Sequence, residues 1–457
     1  MTGMVDAFVQ HALTTRFEDM PKPAVRAAKT YLLDSLGVGI AGAAVPLTQV
    51  VRASAGNWAA DDVAYVWGQG RLSTTPANAA FINGFQIHCQ EYDCVHEPAV
   101  VHPMATILAA LMAECDAQKT VSGKELIVAL AIAVDLAAGI GVSVSSPIKF
   151  FRPANAGIFG ATLGISRLRG FSSDQIKDAL GYALAFNSGT MQAHVEGKPA
   201  LPIQIGNAAR GAIMACDLAE AGMPGPHDSL EGPFGYFALF EDEADAGEVV
   251  ASLGKVWRVA EVSHKPFPTG RAAQGGIVLM QKLRAAGVTA EAVEKITLTA
   301  PPLIHRLVGR PIEDDMAVNY ARLCFQYSGA VALRKGTVGL VDFSEAALRD
   351  PETLSLGAKI EVVDDGSPDP AAFTPQIAVA RLSDGRIVEA RIDALYGSPA
   401  DPMSEDAHLG KFRDCVAFGF GENRPEIADR LIDLTETLET VADVSVLSRL
   451  AAGVEAV

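Results

Sequence analysis

Residues 125–136 are apolar on nearly every side of the helix that their spacing predicts. A helix without a polar face is stable in water only when other elements enclose it, so this segment belongs inside a bundle. Other segments rich in Ala, Leu, Ile and Gly have the same helical spacing. The helices predicted in the first 260 residues lie at 22–43, 75–92, 102–118, 123–140, 155–169, 172–189 and 204–222.

The pattern changes after residues 265–268, which read Lys-Pro-Phe-Pro. A further helix is predicted at 270–287, and alternating apolar residues then predict strands at 295–299, 359–363, 377–382 and 386–391. The last two strands flank Ser-Asp-Gly at 383–385, which is typical of a hairpin. Helical spacing returns from about residue 404. The predicted fold is therefore mainly α: a large all-helical domain from residues 1–262 and 400–457, with a smaller inserted α+β lid domain at 263–399.

Size and charge limit the classes of partner. A chain of 457 residues is too long for one ordinary core, which agrees with two domains. The net charge of −17 disfavours nucleic acid and anionic membranes as partners. Apolar runs break before the roughly 18 residues of a spanning helix, and the N-terminus lacks a basic leader. Six cysteines without CxxC spacing indicate reduced thiols. We expect a cytoplasmic protein with no membrane or nucleic-acid partner.

The densest group of titratable side chains lies at residues 87–103, which contain three histidines, three acids and two cysteines. An apolar run follows directly, so this segment is predicted to be a break between two buried helices. Short irregular segments held by a rigid scaffold often carry catalytic groups. We therefore place the candidate active site here.

Several motifs in this order resemble one known family. They are Phe-Ile-Asn-Gly at 81–84, Glu-Tyr-Asp at 91–93, His-Pro at 102–103, Gly-Ile-Phe-Gly-Ala at 157–161, Gly-Asn-Ala-Ala-Arg at 206–210, Gly-Pro at 225–226 with Leu-Glu-Gly at 230–232, Lys-Pro-Phe-Pro at 265–268, and residues 321–327. The chain resembles the MmgE/PrpD family, which includes 2-methylcitrate dehydratase, cis-aconitate decarboxylase and iminodisuccinate epimerase. The resemblance runs nearly end to end. It implies a homodimer without metal or organic cofactor that binds a small di- or tricarboxylate between its domains.

The chain departs from the family pattern at several positions. Glu91 stands where the family usually has Asp, Cys94 and Val95 replace Asp followed by Thr or Val, and Arg152 replaces a histidine. Residues 201–204, which read Leu-Pro-Ile-Gln, replace a Lys-Arg-Leu-His pattern, and Lys198 is a candidate substitute for the missing lysine. These changes weaken a direct transfer of dehydratase activity.

Proton abstraction next to a carboxylate needs a positioned base, and cations that stabilise the enolate-like charge. Arginine suits carboxylates because its planar fork matches them. This chemistry and the family resemblance together predict one set of catalytic residues and one set of substrate-binding residues. The predicted catalytic residues are Asp93, His102, Lys265 and Tyr327, and the predicted substrate-binding residues are Glu91, Arg152, Lys198, Gln204 and Arg271.

Structural explanations compete with these roles. His102 could cap a helix, Asp93 could bond the backbone of the break, Lys265 could belong to a hinge, and Tyr327 could be a core aromatic. A zinc site of Cys89, Cys94, His96 and His102 is disfavoured because structural zinc prefers ligand pairs spaced by two to four residues. Glycines at 37, 39 and 42 imitate a dinucleotide motif, but they lie late in a predicted helix rather than after a strand.

Two classes of function remain open at this point. The first is an acid–base enzyme without cofactor, with a hydro-lyase as the leading prediction and an epimerase or decarboxylase as the alternatives. The second is a catalytically silent homologue that binds a metabolite. The joint presence of Asp93, His102, Lys265 and Tyr327 favours the enzyme.

Overall fold

A computed structural model of the protein describes residues 3–56, 63–68, 72–369, 372–422 and 424–454. The outer limits of the predicted helical domain, residues 1 and 457, lie outside these ranges. The described chain is mainly α-helical, as predicted.

The first part of the chain holds a small antiparallel hairpin of two short strands among its helices. Its elements are α1 (Met4–Thr14), a 3₁₀ turn (Phe17–Asp19), α2 (Lys22–Gly42), α3 (Pro46–Gly56), β1 (Ala64–Tyr65), β2 (Ser73–Thr74), α4 (Pro76–His88), α5 (Pro103–Gln118), α6 (Gly123–Val142), α7 (Arg152–Leu168), α8 (Ser173–Ala185), α9 (Gln192–Val195), α10 (Ala200–Glu220), α11 (Tyr236–Phe240), α12 (Gly247–Ser252) and a 3₁₀ turn (Arg258–Glu261).

The second part combines helices with a four-stranded sheet before the chain returns to helices. Its elements are α13 (Arg271–Ala285), β3 (Val293–Ala300), α14 (Pro302–Val308), α15 (Val318–Ala321), α16 (Phe325–Lys335), a 3₁₀ turn (Leu340–Phe343), α17 (Glu345–Leu348), α18 (Pro351–Gly357), β4 (Ile360–Asp364), β5 (Gln376–Leu382), β6 (Ile387–Ile392), α19 (Glu405–Phe420), α20 (Pro425–Glu436), a 3₁₀ turn (Leu438–Thr440) and α21 (Ser445–Ala451).

The sheet has the order β4-β3-β5-β6. Strand β4 runs parallel to β3, whereas β5 is antiparallel to both β3 and β6. The predicted hairpin is present, and Gly385 adopts a φ of 86° in its turn, a conformation that favours glycine.

Two large hydrophobic cores are separate. One combines side chains from residues 4–262 with side chains from residues 412–451. The other is built from residues between 267 and 395, around the sheet. Helices α19 and α20 pack on α2, so the end of the chain contacts the core formed by its beginning.

Helix α6 is the one described helix that is long and apolar enough to cross a membrane, with a mean hydropathy of 2.2 over an 18-residue stretch. The sequence-based expectation of shorter runs is wrong here, because glycines and the single Asp135 do not interrupt the helix. However, 89% of that stretch is buried inside the protein, and Asp135 is buried against His11. Helices α2 and α3 are long and apolar enough to cross a membrane only when they are taken together, and the chain bends by 89° between them. The central helix of a water-soluble bundle has these properties too.

Close helix packing fixes the end of α4, which lies against α2 and α10. A Cβ atom on Gly84 would lie 3.1 Å from the Cα of Gly206 in α10. A Cβ atom on Gly42 in α2 would lie 2.1 Å from the carbonyl oxygen of Gln86. The glycines at these two contacts therefore allow the backbones to approach and set the position of His88, the last residue of α4.

Candidate active site

The segment between α4 and α5 is an irregular connection held in an unusual backbone conformation. Glu91 and Val100 both have a φ of 51°, which costs a residue other than glycine about 1–3 kcal/mol. Backbone pairing supports the segment: Val95 pairs with Ser263, and His96 pairs with Val101. The first pairing brings the chain around residue 265 to the end of α4.

A buried carboxylate lies at the centre of the site. The Asp93 Oδ2 atom accepts hydrogen bonds from Nδ1 of His88 at 2.9 Å and from Nδ1 of His102 at 3.1 Å. The two imidazole rings meet edge to face, 4.9 Å apart. Lys265 Nζ lies 2.9 Å from Glu91 Oε2 and 3.7 Å from Asp93 Oδ1. We call these five residues the catalytic cluster.

Both acids of the catalytic cluster are ionised. Burial alone would raise the pKa of Asp93, but His88, His102 and Lys265 hold it well below its usual range. Burial also opposes ionisation of Glu91, yet Lys265 and the two histidines lower its pKa to about 2. Because an ionised carboxylate only accepts hydrogen bonds, both histidines must donate from Nδ1 to Asp93.

The pKa values of the two histidines are shifted in opposite directions. Burial lowers the pKa of His88, but Asp93 and Glu91 outweigh it, and the net shift is upward. Burial and Lys265 together lower the pKa of His102, more than Asp93 raises it. The pKa values of the two imidazoles on this carboxylate oxygen are therefore shifted in opposite directions, which suits one ring to act as an acid and the other as a base.

A narrow cleft reaches the catalytic cluster. Its lining includes His88 and Glu91 from the cluster, Lys198 from the chain before α10, and Asn319 and Leu323 from the α15 region. Its free volume is about 10 Å³, which is room for roughly one water molecule. A di- or tricarboxylate needs more space, so the two walls must separate for such a substrate to enter.

Sequence comparisons agree with this architecture. A profile of the MmgE/PrpD N-terminal domain matches residues 6–248, and a profile of the MmgE/PrpD C-terminal domain matches residues 267–436. The chain belongs to the MmgE/PrpD family. Cis-aconitate decarboxylase of Mus musculus is 27% identical over 448 residues, covering 94% of this chain and 89% of the relative. The Homo sapiens enzyme of that name is 27% identical (94% and 90% covered), and the Aspergillus terreus one is 24% identical (98% and 96% covered).

In this MmgE/PrpD protein, the two arginines predicted to bind substrate instead bind carboxylates of the protein itself. Arg152 forms a two-pronged, buried ion pair with Glu241 and donates to the carbonyl of Ala99. Arg271 is buried against Glu97. In this structure their guanidinium groups hold the 97–100 turn, and their contact with substrate stays a prediction. They are positioning residues for the strained segment.

Two other predicted site residues also have partners outside the catalytic cluster. The Gln204 amide accepts from the backbone N–H of Thr190 and donates to its carbonyl, so it closes a loop. Tyr327 is fully buried in the sheet-side core, where its hydroxyl donates to the carbonyl of Asp342. Its predicted catalytic role is not supported, because that hydroxyl is already engaged away from the catalytic cluster. Lys198, by contrast, lies on the cleft and forms no ion pair within the described ranges.

The sequence-based assignment missed His88 and Arg310. His88 is not among the residues predicted for the site, yet it ends α4 and contacts Asp93 directly. Arg310 donates to the carbonyl of His194, next to the cleft lining, and its Nη1 is buried without a hydrogen-bond partner among the described residues. No motif in the sequence indicates Arg310, because it approaches the site only through the fold.

The alternative sites weighed from the sequence are not formed. His96 bonds Glu261 and the Cys89 thiol donates to the Gln86 carbonyl, so the proposed zinc ligands do not converge. All six cysteines are free thiols and buried. The glycine pattern at 36–42 lies within α2, which excludes a strand-to-helix dinucleotide loop there.

Proposed function

We propose that this protein is a lyase that acts on a small di- or tricarboxylate by acid–base chemistry, with no metal or organic cofactor in the catalytic step. The observation that carries the proposal is the pair of imidazoles that both donate to Asp93 Oδ2, with pKa values shifted in opposite directions. Such a pair supplies a proton donor and a proton acceptor in one buried site.

His102 is the proposed base. Its Nδ1–H is held by Asp93, so the lone pair of the neutral ring is on Nε2. Within the described part of the chain, that Nε2 has no hydrogen-bond partner. His88 is the proposed acid: Asp93 and Glu91 raise its pKa, it lines the cleft, and its buried Nε2 lies 3.7 Å from Glu91. Asp93 keeps both rings in the required tautomer and orientation.

Cations beside the cleft fit an anionic substrate. Lys265 lies on the carboxylate of Glu91, where a substrate carboxylate can compete for it, and Lys198 and Arg310 add positive charge at the cleft. The net charge of −17 repels polyanions, so this local cluster has to hold them. We further propose that residues 263–399 move as a lid to admit substrate, and that the protein acts as a homodimer in the cytoplasm.

Decarboxylation of an unsaturated tricarboxylate such as cis-aconitate is the leading reaction, because relatives aligned over nearly the whole chain carry that name. The bond between carbon and the leaving carboxylate breaks, CO₂ departs, and the electron pair shifts through the adjacent double bond to the carbon next to another carboxylate. Lys265 stabilises the resulting charge on a neighbouring carboxylate. An imidazolium then delivers a proton to that carbon.

Dehydration of a hydroxy-tricarboxylate, the leading prediction from the sequence, is the second candidate. The neighbouring acid and base favour it, since dehydration uses both at once. His102 takes the proton next to a carboxylate, and His88 protonates the hydroxyl that leaves as water. Replacing His88 should therefore impair this reaction as strongly as replacing His102.

The deciding experiment offers the purified protein cis-aconitate or 2-methylcitrate in heavy water, with His102→Ala as the negative control. Released CO₂ with deuterium in the product identifies the decarboxylase, and an alkene formed with loss of water identifies the hydro-lyase. Deuterium in an inverted centre identifies an epimerase. Absence of turnover and exchange across a panel of di- and tricarboxylates would reject the enzyme and favour the silent homologue.

A further inference from the structure

A second group of two histidines and one aspartate lies apart from the catalytic cluster. Asp34 comes from α2, His264 from the connection just before Lys265, and His408 from α19. Their exposed fractions are only 2%, 7% and 8%. One potential ligand atom from each lies within 4.8 Å of the others. We call these three residues the second cluster.

Each residue of the second cluster has a buried polar atom without a partner. Among the described residues, nothing hydrogen-bonds to Asp34 Oδ2, His264 Nε2 or His408 Nδ1. An unsatisfied buried polar atom costs about 1–3 kcal/mol, and native proteins contain few of them. Three residues from distant parts of the chain thus bring potential ligand atoms together and each keep an unpartnered buried polar atom, which indicates a bound group.

We infer that the second cluster binds a divalent transition-metal ion of the zinc class. Two imidazole nitrogens and one carboxylate oxygen are ligands that such ions take in proteins, and three protein ligands leave a coordination position open. A cavity of about 730 Å³ adjoins the cluster and is lined by His264 and His408. It provides an entry path and space for a water ligand.

The surrounding contacts fit this role. Lys411 Nζ bonds Asp34 Oδ1 at 2.7 Å, which orients the carboxylate and leaves Oδ2 for the ion. A tetrahedral ion with bonds of about 2.1 Å needs ligand atoms about 3.4 Å apart, so the rings must turn slightly inward. The His408 ring forms no hydrogen bond in the described structure and packs 4.9 Å from the His264 ring, so it can make that turn.

Metal binding at the second cluster would join three chain segments that the sequence separates widely: α2, the connection between the two cores, and α19. It is independent of the proposed reaction, since none of its ligands belongs to the catalytic cluster. The ion would hold the backbone directly before Lys265.

The test measures zinc bound per chain. The full-length protein is stripped with a chelator, dialysed against Zn²⁺ and analysed by mass spectrometry for metal content. We expect one tightly bound zinc ion in the wild type and in His102→Ala. His227→Ala, which removes an exposed histidine paired with Asp178, is the matched control and should also retain it. His408→Ala should bind zinc at least tenfold more weakly.

Three outcomes would overturn the inference: no tight zinc in the wild type, loss of zinc in His102→Ala, or full retention in His408→Ala. The second would place the ion on the catalytic cluster instead. Circular dichroism checks that His408→Ala folds, and His408→Gln, which keeps most of the side-chain volume, replaces it if it does not. As a separate readout, Co²⁺ should give the visible spectrum of a four-coordinate site without thiolate ligands in the wild type, His102→Ala and His227→Ala, but not in His408→Ala.

Discussion

The catalytic cluster and the second cluster each contain two histidines and one aspartate, but their hydrogen bonds differ. In the catalytic cluster, one oxygen of Asp93 accepts from both histidines. In the second cluster, Asp34 pairs with Lys411 instead, and both imidazoles keep a nitrogen without a partner. The roles proposed for the two clusters rest on this difference: in the catalytic cluster the carboxylate binds both imidazoles, and in the second cluster it binds a lysine.

The electrostatic effects on the histidines follow this division. Asp93 and Glu91 overcome burial and raise the pKa of His88. At the second cluster, burial lowers the pKa of His264 to about 3, because Asp34 is already paired with a lysine. The carboxylates beside His88 thus outweigh the effect of burial on its pKa, whereas Asp34 does not outweigh the effect of burial on the pKa of His264.

The largest expected effect tests whether the catalytic cluster carries the reaction. His102→Ala and Asp93→Asn should each lower turnover and deuterium exchange by about 10²–10⁴-fold, the range for a positioned acid or base. Steady-state rates and exchange in heavy water measure this, with His227→Ala as the control that keeps full activity. Unchanged rates in both variants would make the catalytic cluster a structural feature.

The next effect tests whether the second cluster supports stability. Lys411 and Asp34 have side chains only 4% and 1% exposed, so Lys411→Met leaves a buried charge without its partner. The free energy of unfolding should fall by about 3–5 kcal/mol. Urea denaturation measures it. Lys124→Met, which removes an exposed pair with Glu18, should cost less than about 1 kcal/mol. If Lys411→Met and Lys124→Met lose the same free energy of unfolding, the buried ion pair is no more important for stability than the exposed one.

The pH dependence sharpens the comparison of histidine environments. His102 acts as a base only when neutral, and its pKa is lowered, so activity should fall with acid only below pH 6.5. A histidine of ordinary pKa would already lose about tenfold at pH 5.5. Lys265 is one cause of the shift, so Lys265→Met should move this acid limb of kcat/KM to higher pH. If the acid limb of kcat/KM stays at the same pH in Lys265→Met, Lys265 does not lower the pKa of His102.

The smallest effect concerns the edge of the cleft. Lys198 is exposed and unpaired in the described ranges, so Lys198→Ala should raise KM by at most about fivefold, the value of an exposed ion pair. Its kcat should not change, because the interaction is the same in the ground state and the transition state. Lys255→Ala, another exposed lysine, serves as control. A fall in kcat at constant KM would show that Lys198 takes part in the chemistry.

Local sequence patterns predicted the elements well and the side-chain partners poorly. Helical spacing located α2, α5 and α6 within a few residues, and the Ser-Asp-Gly turn located the hairpin of β5 and β6. The predicted helix at 75–92 ends early, at His88, because the chain turns there into the conformation imposed on Glu91.

The partners depend on pairs that are distant in sequence. Arg152 and Arg271 were correctly recognised as groups suited to carboxylates, but Glu241 and Glu97 became close to them only through folding. The second cluster has no spacing signal either, since α2 and α19 stand near opposite ends of the chain. Neither a sequence motif nor the spacing of apolar residues indicates that residues so far apart in the chain will lie close together in the fold.

His264 and Lys265 are consecutive residues that serve different clusters, and this limits how the chain can vary in length. Inserting or deleting one residue between Val262 and Pro266 would displace a metal-ligand candidate and an active-site ammonium at the same time. The pairing of Ser263 with Val95 and the bond from His264 N–H to the carbonyl of Gly397 would lose their register as well. Among related chains, we therefore expect length differences to accumulate in other connections, while this one keeps its number of residues.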